Sequence, residues 1–103
     1  MTMQAYVTAM LPSAKLALRI TTNSYDSEIG ELLKAALMDL GVAGVIVPDG
    51  NTVDELIRRA CITYVRIHFG QPDDFDRLKA SYDEQKGQLT SCTGYTVWES
   101  ENG

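Results

Sequence analysis

Cysteine and histidine are nearly missing from this chain, which has two cysteines (Cys61 and Cys92) and one histidine (His68) in 103 residues. Zinc sites need closely spaced Cys and His pairs, so none is expected. Cys61 falls on an apolar helical face, where a small buried hydrophobe is the expected role. A Cys61–Cys92 disulfide stays open as an alternative, though a chain with a proper core does not need one. Long apolar runs are lacking too. The longest, Val42 to Val47 with Gly44 inside it, is too short to cross a bilayer. Met1 to Leu11 is fairly apolar, but its first basic residue, Lys15, comes only afterwards. That order is wrong for a secretory signal, so an intracellular protein without membrane contact is expected.

Positive charge is also short, with 9 Lys+Arg against 14 Asp+Glu and a formal net charge of −5. A free-standing DNA-binding module normally needs a basic face, and this balance argues against one. It leaves room for a protein past which DNA slides without sticking. The hydrophobic fraction of 45% and charged fraction of 22% are those of a folded globular chain. The length permits one domain with one core and excludes a (β/α)₈ barrel. That domain is expected over residues 1–94, with a tail over 95–103.

Signatures of catalysis are absent. The sequence has no Walker loop, G-x-G-x-x-G, H-E-x-x-H or G-x-S-x-G. His68 is the sole histidine that could serve Cys61 as a base, and it lies two helical turns away along the same segment. Asp49 and Asn51 resemble the start of a calcium loop. However, Val53, Asp54 and Ala60 stand where a third ligand, a glycine and a bidentate carboxylate are required. Asp73, Asp74 and Asp76 are better suited to helix capping than to cation binding. No catalytic residue, metal or cofactor is therefore expected, and the protein does not read as an enzyme.

What is present is helical periodicity. Pro12 suits a first helical turn, which predicts a short helix of about two turns from there through Ala14, Leu16, Ala17 and Leu18. Thr21 to Ser24 form a polar linker able to cap the next segment. Ile29, Leu32, Leu33, Ala36, Leu37 and Leu40 trace one continuous stripe, with Asp26, Glu28 and Glu31 at its dipole-favoured start and Gly41 as a left-handed cap. Residues 42–50 carry a β-branched run and then Pro48-Asp49-Gly50-Asn51, and a packed loop is expected there. Thr52-Val53-Asp54-Glu55 matches a capping box. Behind it Val53, Leu56, Ile57, Ala60, Cys61, Tyr64, Val65 and His68 form a third stripe, ended by Gly70. A fourth helix starts after Asp73, with a thin stripe of Phe75, Leu78, Tyr82 and Leu89 that should bury only one edge. The fold class expected is all-α, a small four-helix bundle-like domain with an extended C-terminal tail.

Two features suggest contacts with other chains. Ile62 and Phe69 flank the third stripe, so this helix is either central to its domain or faces a second partner. Asp54–Arg58 and Glu55–Arg59 have the favourable acid-first i,i+4 order, which makes a solvated salt-bridged face one reading. The other reading makes Arg59, Ile62, Arg66 and Phe69 subunit or partner contacts. In the tail, Tyr95, Val97 and Trp98 lie outside any helical stripe. They either fold back onto their own domain or dock on a neighbour as aromatic anchors.

The order of these blocks resembles a known family. Leu16-Ala17-Leu18-Arg19-Ile20 followed by Tyr25-Asp26-Ser27-Glu28-Ile29, then Asp39-Leu40-Gly41-Val42, look like the head–tail connector proteins of tailed bacteriophages. So do Ala60 to Arg66 with His68-Phe69-Gly70, and Phe75-Asp76-Arg77-Leu78 through Ser81 to Lys86 and Gly94 to Trp98. The resemblance covers roughly residues 12–98. It implies a small all-α virion protein at the head–tail neck, assembled in the bacterial cytoplasm from a phage or prophage gene. It further implies a homo-oligomeric ring beneath the portal protein that completes the DNA-filled head and offers a platform to tail or head-closure proteins. DNA would then pass through the ring without sequence-specific binding. A small intracellular helical adaptor or regulator is the alternative.

Overall fold

The computed structural model describes residues 2–45, 53–70 and 73–91. Its four helices are α1 (Met3–Leu18), α2 (Asp26–Val42), α3 (Glu55–His68) and α4 (Phe75–Ser91). The all-α architecture is as expected, but the first helix is not short.

Helix α1 starts at Met3 because the Thr2 side chain accepts the Ala5 N–H at 3.1 Å, and Pro12 lies inside it. An interior proline costs about 3 kcal/mol through a lost hydrogen bond and a clash with the preceding turn. Tyr6, Val7, Met10 and Ala14 share the buried face of this helix. Each large apolar side chain buried there contributes about 1.5–3 kcal/mol, so the stripe outweighs the proline. The two-turn expectation therefore misplaced the start by treating Pro12 as the first turn.

At its other end α1 stops on Arg19, which is left-handed at φ 60°. The Arg19 N–H donates to the Leu16 carbonyl at 3.1 Å and the Ile20 N–H to the Lys15 carbonyl at 2.9 Å. This paired closure usually recruits glycine, because a side chain at positive φ is strained. The Thr21–Ser24 linker follows, but it does not cap α2 through a side chain. Asn23 instead accepts from Lys15 Nζ at 2.8 Å, and Lys15 also pairs with Asp26 at 2.8 Å. That pair pins the start of α2 to the end of α1.

Helix α2 buries Ile29, Leu33, Ala36, Leu37 and Leu40, the stripe expected for it, with Leu32 half-buried beside them. Its glycine cap is displaced from Gly41 to Gly44, at φ 99°. The Gly44 N–H donates to the Gly41 carbonyl at 3.0 Å and the Val45 N–H to the Leu40 carbonyl at 2.9 Å. Val45 and Leu40 are both buried, the apolar contact that accompanies such a closure. Of the packed loop expected over 42–50, Val42 is the last residue of α2 and 90% exposed, while Val45 packs inward. Residues 46–50 lie outside the described residues.

Helix α3 is capped by Asp54, and Thr52 of the expected capping box lies outside the described residues. The Asp54 carboxylate accepts from the Leu56 and Ile57 N–H groups at 3.0 and 3.1 Å. Its buried set is Ile57, Ala60, Cys61, Thr63, Val65 and Ile67. Relative to the expected stripe, Leu56 and His68 turn outward while Thr63 and Ile67 turn inward. The cause is that α3 packs against α1, α2 and α4 together and must bury more than one edge. Thr63 is satisfied there by donating its hydroxyl to the Arg59 carbonyl at 2.9 Å. Helix α4 lies against α3 and buries only Leu78, Tyr82 and Leu89, the single edge expected of it, although Phe75 is exposed.

Strain at Arg19 gives a direct test. Arg19→Gly should raise stability by about 0.5–1 kcal/mol, or several degrees in Tm for a chain of this size. Thermal unfolding followed by circular dichroism checks it, and a lower Tm would show that the arginine side chain matters more than its backbone conformation.

Candidate subunit interface

The residues that could have formed a reaction centre are used structurally. Cys61 is buried between helices, and burial pushes its thiol up to about 12, far from a reactive thiolate. His68 packs its ring on Tyr64 with centroids 4.3 Å apart. Asp74 pairs with Arg77 in the first turn of α4. Among the described residues, no three His, Cys, Asp or Glu side chains could together hold a metal ion.

The arginines of α3 separate into different roles. Arg58 pairs with Glu55 one turn back, at 2.5 Å, and reaches across to the Ser13 hydroxyl of α1 at 3.0 Å. The sequence had paired Glu55 with Arg59 and Asp54 with Arg58. In the fold Asp54 caps the helix, and Glu55 takes the arginine three residues on. Arg59 is exposed, has no ion pair among the described residues, and lines a groove between α3 and α4. Arg66 is half-buried.

Ile62 and Phe69 are half-buried and pack against the core. Phe69 also meets Tyr25 edge-on, with centroids 5.6 Å apart and planes at 86°. Part of each side chain is thus spent inside the fold, which narrows the outward face that they offer. Helix α3 carries Arg59, Ile62 and Arg66, and Phe69 follows as its C-cap residue. Tyr95, Val97 and Trp98 lie outside the described residues.

One polar cluster escaped the sequence reading. Asp39 on α2 accepts a hydrogen bond from the Tyr82 hydroxyl at 2.5 Å and another from Lys86 Nζ at 3.2 Å, both on α4. The Tyr82 bond, helped by the Lys86 ammonium, holds the Asp39 carboxyl below its ordinary range against the opposing effect of burial. Burial first, and then the hydrogen bond to Asp39, push the Tyr82 hydroxyl up. The cluster ties α4 to α2 around the outside of the core. A tyrosine inside a stripe otherwise free of polar groups was the available signal, because a buried hydroxyl needs a partner.

The model of a family described as phage connector protein matches residues 10–96. The chain belongs to that family. No curated protein and no solved structure matches it. Membership gives the chain a structural connector role in a bacteriophage, as a virion component that associates with other head or tail proteins. No helix among the described residues is long and apolar enough to cross a membrane.

The Asp39 cluster makes stability depend on acid. A carboxyl held below its ordinary value of 3.8 contributes stability above that value and loses it as pH falls through the lowered one. Tyr82→Phe removes the largest cause. Its deficit in Tm against the parent should therefore be greatest near neutral pH and shrink below about pH 4. Melting curves between pH 7 and 3 measure this, and a deficit unchanged by pH would remove the charged hydrogen bond from the account.

Proposed function

We propose that copies of this chain close into a ring beneath the portal of the filled head, surrounding the channel through which DNA leaves. The ring completes the head and gives the tail, or a head-closure protein, its docking platform. The match to the phage connector family over residues 10–96 carries this reading. Two physical features support it. A net charge of −5 suits a conduit, since like charge discourages trapping of phosphates, and DNA passes without sequence-specific binding. A closed ring also needs two different surfaces on each copy. One candidate is the outward part of α3 around Arg66, with the exposed portions of Ile62 and Phe69. The other comprises the exposed apolar side chains of α1 and α2, among them Leu16 at 80%, Met38 and Val42.

The test uses heads produced without this chain but carrying the portal. Such heads should lose DNA and fail to join tails, and added purified protein should restore both. Arg66→Glu should lower that restoration about tenfold while leaving the helical circular dichroism spectrum unchanged, as expected for one interface arginine. Heads that keep their DNA and accept tails without the chain would overturn the proposal. Full restoration by the variant would take Arg66 out of the contact.

A further inference from the structure

Between α3 and α4 lies an open groove of about 570 Å³ whose lining includes Leu56, Arg59, Arg77, Glu84, Gln85 and Leu89. Its floor is apolar at Leu89, which is buried, and at Leu56, which is 48% exposed. The side-chain oxygen of Gln85 is buried with no hydrogen-bond donor among the described residues. The charged lining has two cations and one acid. Arg77 is shared with Asp74, whereas Arg59 has no ion pair among the described residues. A groove with an apolar floor, an idle acceptor and an arginine that has no ion pair among the described residues fits an extended segment that carries aromatics followed by acids.

The chain has such a segment at the right place. Residues 92–103 follow directly on Ser91, the last residue of α4, and include Tyr95, Val97, Trp98, Glu99 and Glu101. We propose that residues 95–101 turn back at Gly94 and lie in the α3–α4 groove of their own subunit. Tyr95, Val97 and Trp98 then cover Leu89 and Leu56, and Glu99 and Glu101 come to Arg59 and Arg77. Lengths agree with this path. From Ser91 back to Arg77, α4 rises about 21 Å at about 1.5 Å per residue. An extended chain from Gly94 to Glu101 spans about 23 Å at about 3.3 Å per residue. Tethering at Ser91 also gives the segment an effective concentration in the millimolar range, which favours its own groove over a neighbour's in the free subunit. The groove and the segment belong to one subunit, so this contact stands whether or not copies form a ring.

Trp98 is the sole tryptophan, so its fluorescence reports the segment directly. In the full chain, isolated as monomer, Trp98 emission should be blue-shifted and its acrylamide quenching severalfold weaker than in urea. That protection should persist over about a hundredfold dilution, as an intramolecular contact requires. Leu56→Asp with Arg59→Glu alters two exposed positions. It should return quenching to the urea value while the helical circular dichroism signal stays. Trp98 as quenchable in buffer as in urea would overturn the proposal, and protection lost on dilution would assign the segment to a second copy instead. Protection that survives the double variant with its fold intact would place the segment elsewhere and equally refute it.

Discussion

Tyr6 is 1% exposed, and its hydroxyl accepts the backbone N–H of Asp54 at 2.7 Å, across forty-eight positions of sequence. The same Asp54 caps α3 through its carboxylate. A residue near the start of α1 thus sets where α3 begins. Burial pushes the Tyr6 hydroxyl up, so it stays a neutral partner at any ordinary pH. Leaving a buried donor unmet costs about 1–3 kcal/mol, a large share of the net stability of a chain this small. From that anchor α3 runs with Ile57, Ala60, Cys61 and Val65 fully buried against its neighbours. Ala60 and Cys61 are small, which lets the helices approach closely. Arg58 adds a second tie from α3 to α1 through Ser13.

Everything displayed at the surface follows from α3 being central. Helix α4 has its main contact with α3, and the Asp39–Tyr82–Lys86 cluster restrains its other side. The groove between α3 and α4 exists because α4 buries one edge only. Arg59 and Arg66 stay toward the surface of α3 because apolar side chains fill its inward positions. A connector has to keep its fold while its surface serves several contacts. A core closed by hydrogen-bonded helix ends and a polar clamp meets that need.

Periodicity carried much of this in advance. The α2 stripe was legible because six aliphatic residues repeat at helical spacing, and the central role of α3 was legible in its flanking Ile62 and Phe69. Helix ends were less legible. Gly41 and Gly44 both suit a left-handed cap, and burial of Val45 against Leu40 decides for the second. Thr52 and Asp54 both suit an N-cap, and the Tyr6 hydroxyl bears on that choice from another helix. Pro12 misled because its local preference for a first turn is outweighed by a buried stripe on both sides of it. The Asp39–Tyr82 bond spans forty-three positions, and no local spacing rule reaches so far. The family resemblance depended on the order of short blocks along the chain, and the match over residues 10–96 covers nearly the same span.

The central claim is that this helical unit works as one of several copies at the head–tail neck. Electron cryomicroscopy of purified tailed particles tests it most directly. The account predicts a ring of repeated densities next to the portal, each fitted by α1 to α4 with α3 innermost in its own subunit. Particles whose neck contains no density matching this fold, while carrying DNA and a tail, would contradict it.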